Sequence, residues 1–389
     1  MHSDSAGVSV SRLGYRPELD GLRGIAIILV IFSDAIDWPK GSFIGVDMFF
    51  ALSGFLITTL LLEEWRAYGS ISLRHFYLRR YYRLFPALVV LIAIYVLYVV
   101  LFVHSGVGER LRGAGFGITY TANWDQALRH FPYTEPDTGY LWTLAIEEQF
   151  YLLWPLLLLA LLHIGRRLRG AKWGLVGLII AVVAWRNLLI VQGADPNRIY
   201  FGTDTRFDEL LVGCLGAVVY VSRRWEQARR RWLMKMAAIG GGLFLLYRIF
   251  KVNQWTIWTQ RITLTLVAVS TTLVIFSCVT GSFPLLKRAL SASWLVFVGM
   301  ISYSLYLWHI PVDLVMRKAT ALSPWLINVL ECVLVFPVAC GSYFLVERTF
   351  LKRRKAHQRL RATKAELEHE PRGARATGME ASAPPPDRA

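Results

Sequence analysis

Cysteine is scarce in this chain and poorly placed for covalent chemistry. The 389 residues hold four, Cys214, Cys278, Cys332 and Cys340. All lie inside apolar runs and none has metal-ligand spacing, which argues against a zinc site or a disulfide framework and for core packing. Charge is sparse as well: 18% of residues are charged against 55% hydrophobic. That balance is too apolar for a soluble chain of this length. No internal repeat is evident, which weighs against the inverted-repeat design of many transporters. No small-residue cleavage site follows the first apolar stretch, so it reads as a retained span and not as a cleaved signal.

What is present is a recurrence of apolar runs, each roughly 15 to 25 residues long, up to about position 348. They predict an all-α polytopic membrane protein of about ten transmembrane helices. The spans fall at about 22–38, 43–63, 84–103, 140–163, 173–191, 206–221, 236–250, 260–280, 294–312 and 325–347. A polar N-terminal segment (1–18) precedes one transmembrane domain (19–350). Residues 104–139 read as the longest polar loop between spans. A charged, then Pro/Ala-rich tail (351–389) reads as disordered.

A net charge of +16 would suit a nucleic-acid binder. Here the basic residues sit in short clusters between apolar runs, as at Arg79, Arg80 and Arg83. That is the pattern of cytoplasmic loops beside anionic lipid, so membrane lipid and not nucleic acid is the expected neighbour. Ten spans place both termini on one side, and the basic clusters fall on that side, which the positive-inside rule makes cytoplasmic.

This topology assigns depths. Arg23 lies at the inner end of the first span and Asp34 towards its outer half. Eleven residues separate them, so they share a helix face about 16 Å apart along the axis. Asp47, Glu147 and Glu148 also fall in the outer half, Arg206 and Asp208 open the sixth span, and His309 sits near the outer end of the ninth. Intramembrane carboxylates pair with cations, face a water-filled cavity or take up protons. Structural readings stand beside each: Asp34 as the end of a short span, Asp208 neutralising Arg206, the Glu pair bridging helices. Arg79, Arg80 and Arg83 form a basic inner mouth that fits a phosphorylated ligand, or an ordinary basic loop. An extended pantetheine arm matches the distance from Arg23 to Asp34.

Eight motifs occur in order: Arg-Pro-Glu-Leu-Asp-Gly-Leu-Arg-Gly-Ile-Ala (16–26), Phe-Ile-Gly-Val-Asp-Met-Phe-Phe-Ala-Leu-Ser-Gly-Phe-Leu-Ile-Thr (43–58), Phe-Tyr-Leu-Arg-Arg-Tyr-Tyr-Arg-Leu-Phe-Pro (76–86), Asn-Trp (123–124), Leu-Trp-Thr-Leu-Ala-Ile-Glu-Glu-Gln-Phe-Tyr-Leu-Leu-Trp-Pro (141–155), Asp-Thr-Arg-Phe-Asp (204–208), Ile-Ser-Tyr-Ser-Leu-Tyr-Leu-Trp-His-Ile-Pro (301–311) and Glu-Arg (347–348). In this the chain resembles the acyltransferase 3 family of integral membrane acyltransferases, over about residues 16–350. The resemblance implies a bacterial cytoplasmic-membrane enzyme. It would move an acyl group, often acetyl from acetyl-CoA, to a hydroxyl of a glycan, a lipid-linked molecule or a glycosylated product such as a macrolide, with no metal.

The family's first span carries a cation, ten residues, then a histidine regarded as the base. Arg23 matches the cation, but position 34 is aspartate. A neutral imidazole is poised near pH 7, whereas a carboxylate with an ordinary pKa of about 3.9 is a weaker base unless buried or crowded. Three readings stand: Asp34 serves as the base, the aspartate removes activity, or the chain is a non-catalytic acyl-CoA or lipid binder. His309 matches a histidine other members also have. In direct transfer, Asp34 would deprotonate the acceptor, with Asp47 and Glu147 or Glu148 orienting. Arg23, Arg79, Arg80 and Arg83 would hold CoA phosphates. Ser53 would line the tunnel, and Asn123, Trp124, Arg206, Asp208 and His309 would serve the substrate. An acyl-serine ranks low, for want of a base near Ser53 in sequence. The tail after residue 350 reads as too short for an appended hydrolase-like domain, so a small glycosylated acceptor is the expectation. A proton-coupled transporter is the rival class.

Overall fold

A computed structural model describes residues 13–129, 137–165, 168–222, 228–251, 253–319 and 322–352. Fifteen α-helices follow one another: α1 (Pro17–Ile36), α2 (Ile44–Tyr68), α3 (Leu73–Phe102), α4 (Val107–Ile118), α5 (Ala122–Ala127), α6 (Trp142–Ile164), α7 (Leu168–Val191), α8 (Pro196–Phe201), α9 (Thr203–Val221), α10 (Ala228–Lys251), α11 (Leu264–Thr280), α12 (Pro284–Leu290), α13 (Ser293–Met300), α14 (Ser302–Ala319) and α15 (Pro324–Ser342). No strand occurs among the described residues. The expectations for 1–12 and for the tail from 353 onward lie outside them.

Seven of these helices are long and apolar enough to cross a membrane: α2, α3, α6, α7, α10, α11 and α15. The bent pair α13–α14, angled at 68°, makes eight if counted as one span. The expected ten requires α1 and α9 as well. Those two have the length of a span, but each carries four charged residues: Glu18, Asp20, Arg23 and Asp34 on α1, and Asp204, Arg206, Asp208 and Glu209 on α9. Hydropathy thus passes over the two helices that carry most of the polar residues of interest.

Burial separates an inner shell from an outer one. The apolar windows of α2 and α11 are 72% and 78% buried, whereas those of α7, α10 and α15 are 11%, 17% and 22% buried. The outer helices turn apolar side chains such as Leu188, Leu243 and Val333 outward, as a bilayer-facing surface requires. At the centre lies α1. It starts with Pro17 in its first turn and acidic Glu18 and Asp20 beside the amide end of the helix. It packs against α2, α12, α13, α14 and α15.

Small residues set the closest crossings. A methyl added at Gly54 would sit 2.0 Å from the Leu210 carbonyl oxygen, and one at Gly213 would sit 2.1 Å from that of Ala51. Without hydrophobic drive between helices in lipid, such backbone approach is a main source of association, and α2 and α9 are accordingly the most intimate pair.

The stretch expected as a polar loop, 104–139, is largely helical. After α3 ends at Phe102, α4 folds back along it, with Gly117 beside Ile92. The tip, Thr119–Tyr120–Thr121, lines a cavity with Tyr77, Tyr81 and Phe85 of α3. From Phe102 back to Phe85 is roughly 25 Å of helix, so the segment is a re-entrant hairpin. Non-helical backbone at such depth is tolerated where it is buried or lines a cavity, as it does here. The sequence reading missed this because the hairpin is short, Gly-rich and carries Arg110 and Arg112.

Candidate active site

One face of α1 presents Arg23, Val30 and Asp34, seven and eleven residues apart, which in a helix is a single stripe. Two cavities lie along it. The first, about 190 Å³, takes Arg23 from α1, Phe50 and Ser53 from α2, Arg80 and Arg83 from α3, Glu147 and Tyr151 from α6, and Ser302 and Tyr303 from α14. The second, about 540 Å³, takes Asp34 and Asp37, Asp137, Tyr140 and Trp142, Tyr200 and Phe201, Gln254 and Trp255, and Ile310 and Leu314. Val30, Val46, Thr143 and Tyr306 line both, so the cavities adjoin at this shared boundary, the neck. The neck is held in shape: the Thr143 hydroxyl donates to the Tyr306 phenol at 2.6 Å, and that phenol donates to the Tyr140 carbonyl.

The first cavity is cationic at one end. Arg23 donates to the Ser302 hydroxyl at 3.0 Å. Arg80 lies over the Tyr151 ring at 4.2 Å. Neither Arg80 nor Arg83 has an ion-pair partner among the described residues, whereas Arg79 is paired with Glu64 at 3.1 Å and lines neither cavity. The break before α14 sets that helix's N-terminal end, with Ser302 and Tyr303, on the same cavity, adding a terminus suited to anions. Of the four arginines expected at an inner mouth, three converge and Arg79 does not. Ser53 donates to Glu147 at 2.6 Å, so a carboxylate absent from its sequence neighbourhood is beside it in space. Deeper in, Ser304 donates to the buried Glu347.

The second cavity is aromatic and acidic. Asp34, 35% exposed, meets His309, whose side chain is fully buried, at 3.0 Å. His309 is fixed from behind by the Tyr306 carbonyl, 2.6 Å from Nδ1, and by the Tyr140 ring. Asp137 is held by Arg110 of the re-entrant hairpin and by the Tyr95 hydroxyl at 3.0 Å. Planar rings with a few carboxylates and an amide are suited to a sugar, which offers apolar ring faces and hydroxyl donors.

Other candidates lie elsewhere. Asp47 is buried on Arg206 at 2.6 Å, and Arg206 also meets Glu209 at 3.0 Å. Asp208 takes two hydrogen bonds from Arg186, at 2.9 and 3.1 Å, and one from Thr265. None of these lines either cavity, although the Arg206 guanidinium stacks behind Trp142 and Tyr200, which do. Asn123 is a buried clamp joining Phe201, Thr203 and Gln149. Glu148, next to Glu147 but about 100° round the helix, faces a lateral cavity with Trp124 and the hairpin tip, which shares Arg80, Leu84 and Tyr151 with the first. Sequence reasoning missed Arg186, although a lone cation in an otherwise apolar run signals an intramembrane partner. It also missed Tyr306 and Thr143, which carry no such signal.

Comparison with known proteins bears on what this geometry does. A family model described as an acyltransferase domain matches residues 16–345. The peptidoglycan O-acetyltransferase OatA of Listeria monocytogenes is 37% identical over 309 residues, covering 77% of this chain and 49% of that protein. The O-acetyltransferase OatA of Staphylococcus aureus is 32% identical over 352 residues, covering 87% of this chain and 58% of that protein. The chain thus spans about half the length of the curated relatives it matches. No solved structure matches it.

Proposed function

The chain belongs to the acyltransferase domain family, and from that premise we propose that it is a membrane O-acetyltransferase taking acetyl from acetyl-CoA to a hydroxyl of a glycan. The observation that carries this is the pair of cavities in line along α1, cationic at Arg23 and acidic and aromatic at Asp34, adjoining at four shared residues. With both termini cytoplasmic and ten spans, the first cavity opens towards the cytoplasm, where acyl-CoA is found. Arg23, Arg80 and Arg83 hold its phosphates through charge-assisted hydrogen bonds. The pantetheine arm runs along the α1 stripe, about 16 Å, and brings the thioester past the neck. The acceptor sugar lies among the rings of the second cavity with one hydroxyl at Asp34. Holding both reactants in this geometry removes much of the entropic barrier.

The relatives' names favour a cell-wall glycan as acceptor over the macrolide-type product that the resemblance also implied. The test uses the purified chain in nanodiscs with radiolabelled acetyl-CoA and muropeptides. Label transferred to muropeptide hydroxyls, falling about 10²-fold at subsaturating acetyl-CoA in the Arg80→Gln/Arg83→Gln double variant, is the expected result. Absence of acetyl-CoA binding by calorimetry would remove this reading and leave the transporter class.

A further inference from the structure

An aspartate where a histidine base was expected looks like a loss, but the carboxylate does not stand alone. His309 Nδ1 lies 2.6 Å from the Tyr306 carbonyl oxygen, which only accepts, so Nδ1 carries a hydrogen. Nε2 lies 3.0 Å from Asp34 Oδ2. Two lone pairs that close would repel, so one proton is held between them. The exposures set the order: the imidazole is fully buried and the carboxylate is 35% exposed in the second cavity. Asp34 therefore faces the acceptor and His309 stands behind it. The other oxygen of Asp34, Oδ1, carries no hydrogen bond among the described residues.

We propose that Asp34 and His309 form a two-residue proton relay, in which Asp34 touches the acceptor hydroxyl and His309 takes up the charge. The proposal rests on the acetyl-transfer reading above. The acceptor O–H gives its proton to Asp34 Oδ1 while the proton shared between Oδ2 and Nε2 settles on His309 Nε2. The acceptor oxygen's electron pair forms the new C–O bond to the thioester carbonyl carbon. The C–S bond breaks and the sulfur leaves with its electron pair. It recovers the proton from the same pair in reverse order, giving the ester and CoA thiol and restoring the starting state. The positive charge rests on the imidazole, which is buried behind Asp34 and away from the acceptor. The base missing from α1 is thus supplied from α14 through Asp34. His309 is a positioning and proton-accepting residue, and Asp34 is the catalytic one.

The test compares the full chain in nanodiscs with three variants, using radiolabelled acetyl-CoA and muropeptides: His309→Gln, Asp34→His, and the two combined. The relay requires His309→Gln to lower kcat about 10² to 10³-fold with little change in KM for acetyl-CoA, a general-base-sized effect. In the Asp34→His background the same change should cost less than about tenfold, because a histidine at 34 is its own base. A proton inventory in mixed H₂O and D₂O reads the wild type without touching His309, and should show two protons in flight there and one in Asp34→His. Equal loss from His309→Gln in both backgrounds, or a wild-type inventory of one proton, would make His309 structural and overturn the relay. Transfer by Asp34→His alone, with the wild type inactive, overturns the relay and leaves the acetyl-transfer reading standing. No transfer by either, with both monodisperse and binding no acetyl-CoA, removes the reading and the relay together.

Discussion

Two groups of charges lie at membrane depth in this protein, and they differ in where their partners are. In the core formed by α2, α7, α9 and α11, Asp47, Arg206 and Glu209 form one buried cluster and Arg186, Asp208 and Thr265 another. All are enclosed by protein and open to no cavity described above. Facing the cavities along α1 are Arg23, Arg80, Arg83 and Asp34: Arg80 and Arg83 have no ion-pair partner among the described residues, Arg23 meets Asp20 only at 4.0 Å, and Asp34 is half closed, meeting His309 with one oxygen. Both groups satisfy the rule that an intramembrane charge is a functional candidate. What separates them is closure: charges that answer one another hold helices together, while charges that face space await something else.

Breaking the closed group should give the larger effect. Arg206→Met leaves Asp47 and Glu209 buried without their cation, and removing one partner of a buried pair costs about 3–5 kcal/mol. The expected outcome is poor expression and a fall in Tm in detergent, read by thermal-shift measurement, with residual activity tracking the folded fraction. A stable Arg206→Met protein that is inactive would move Arg206 into the open group. Arg80→Gln/Arg83→Gln sharpens the contrast from the other side. It should leave Tm within a degree or two while KM for acetyl-CoA rises about 10²-fold, as two lost charge-assisted contacts of about 1.5 kcal/mol each imply.

The same contrast explains what was legible in the sequence. The all-helical membrane class followed from apolar runs, because bilayer thickness fixes their length. Arg23 and Asp34 could be placed on one face because helix periodicity is local. Closure is not local. Arg206 meets Asp47 across 159 residues and Asp34 meets His309 across 275. Motif spelling placed Asp47, Asp208 and Asn123 beside the chemistry, but only packing separates a wall from a lining. Glu147 and Glu148 make the point at the smallest scale, since adjacent residues on a helix face different spaces. The re-entrant hairpin was missed for the opposite reason: its backbone is satisfied by cavity and neighbour contacts, so it needs no apolar run.

Those two glutamates give the next test. Glu147 lines the first cavity, whereas Glu148 lines the lateral one. Glu147→Gln should lower kcat/KM about tenfold through the changed charge beside the thioester path, about 1.4 kcal/mol. Glu148→Gln should change it less than about threefold, since it lines neither of the two cavities along α1. Equal losses in a steady-state assay would bring the lateral cavity into the reaction.

A modest effect is expected at Ser53, and it bears on mechanism most directly. Its hydroxyl donates to Glu147 at 2.6 Å inside the donor cavity. A serine next to a carboxylate has the outline of an activated nucleophile, so the space around it is compatible with an acyl-serine, which the lack of a base near Ser53 in sequence ranks low. The cavity geometry argues otherwise. Ser53 lies on the Arg23 side of the neck, whereas Asp34 and the aromatic rings lie on the other, so acetyl parked on Ser53 would sit short of the acceptor. Direct transfer needs Ser53 only as lining. Ser53→Ala then removes one hydrogen bond to Glu147, about 1 kcal/mol, and lowers kcat/KM by less than about tenfold. Incubation with radiolabelled acetyl-CoA without acceptor, followed by denaturing gel and mass spectrometry, should leave no label on the wild-type chain. Label on Ser53, together with complete loss of transfer in Ser53→Ala, would replace direct transfer by double displacement and make the first cavity a reaction chamber in its own right.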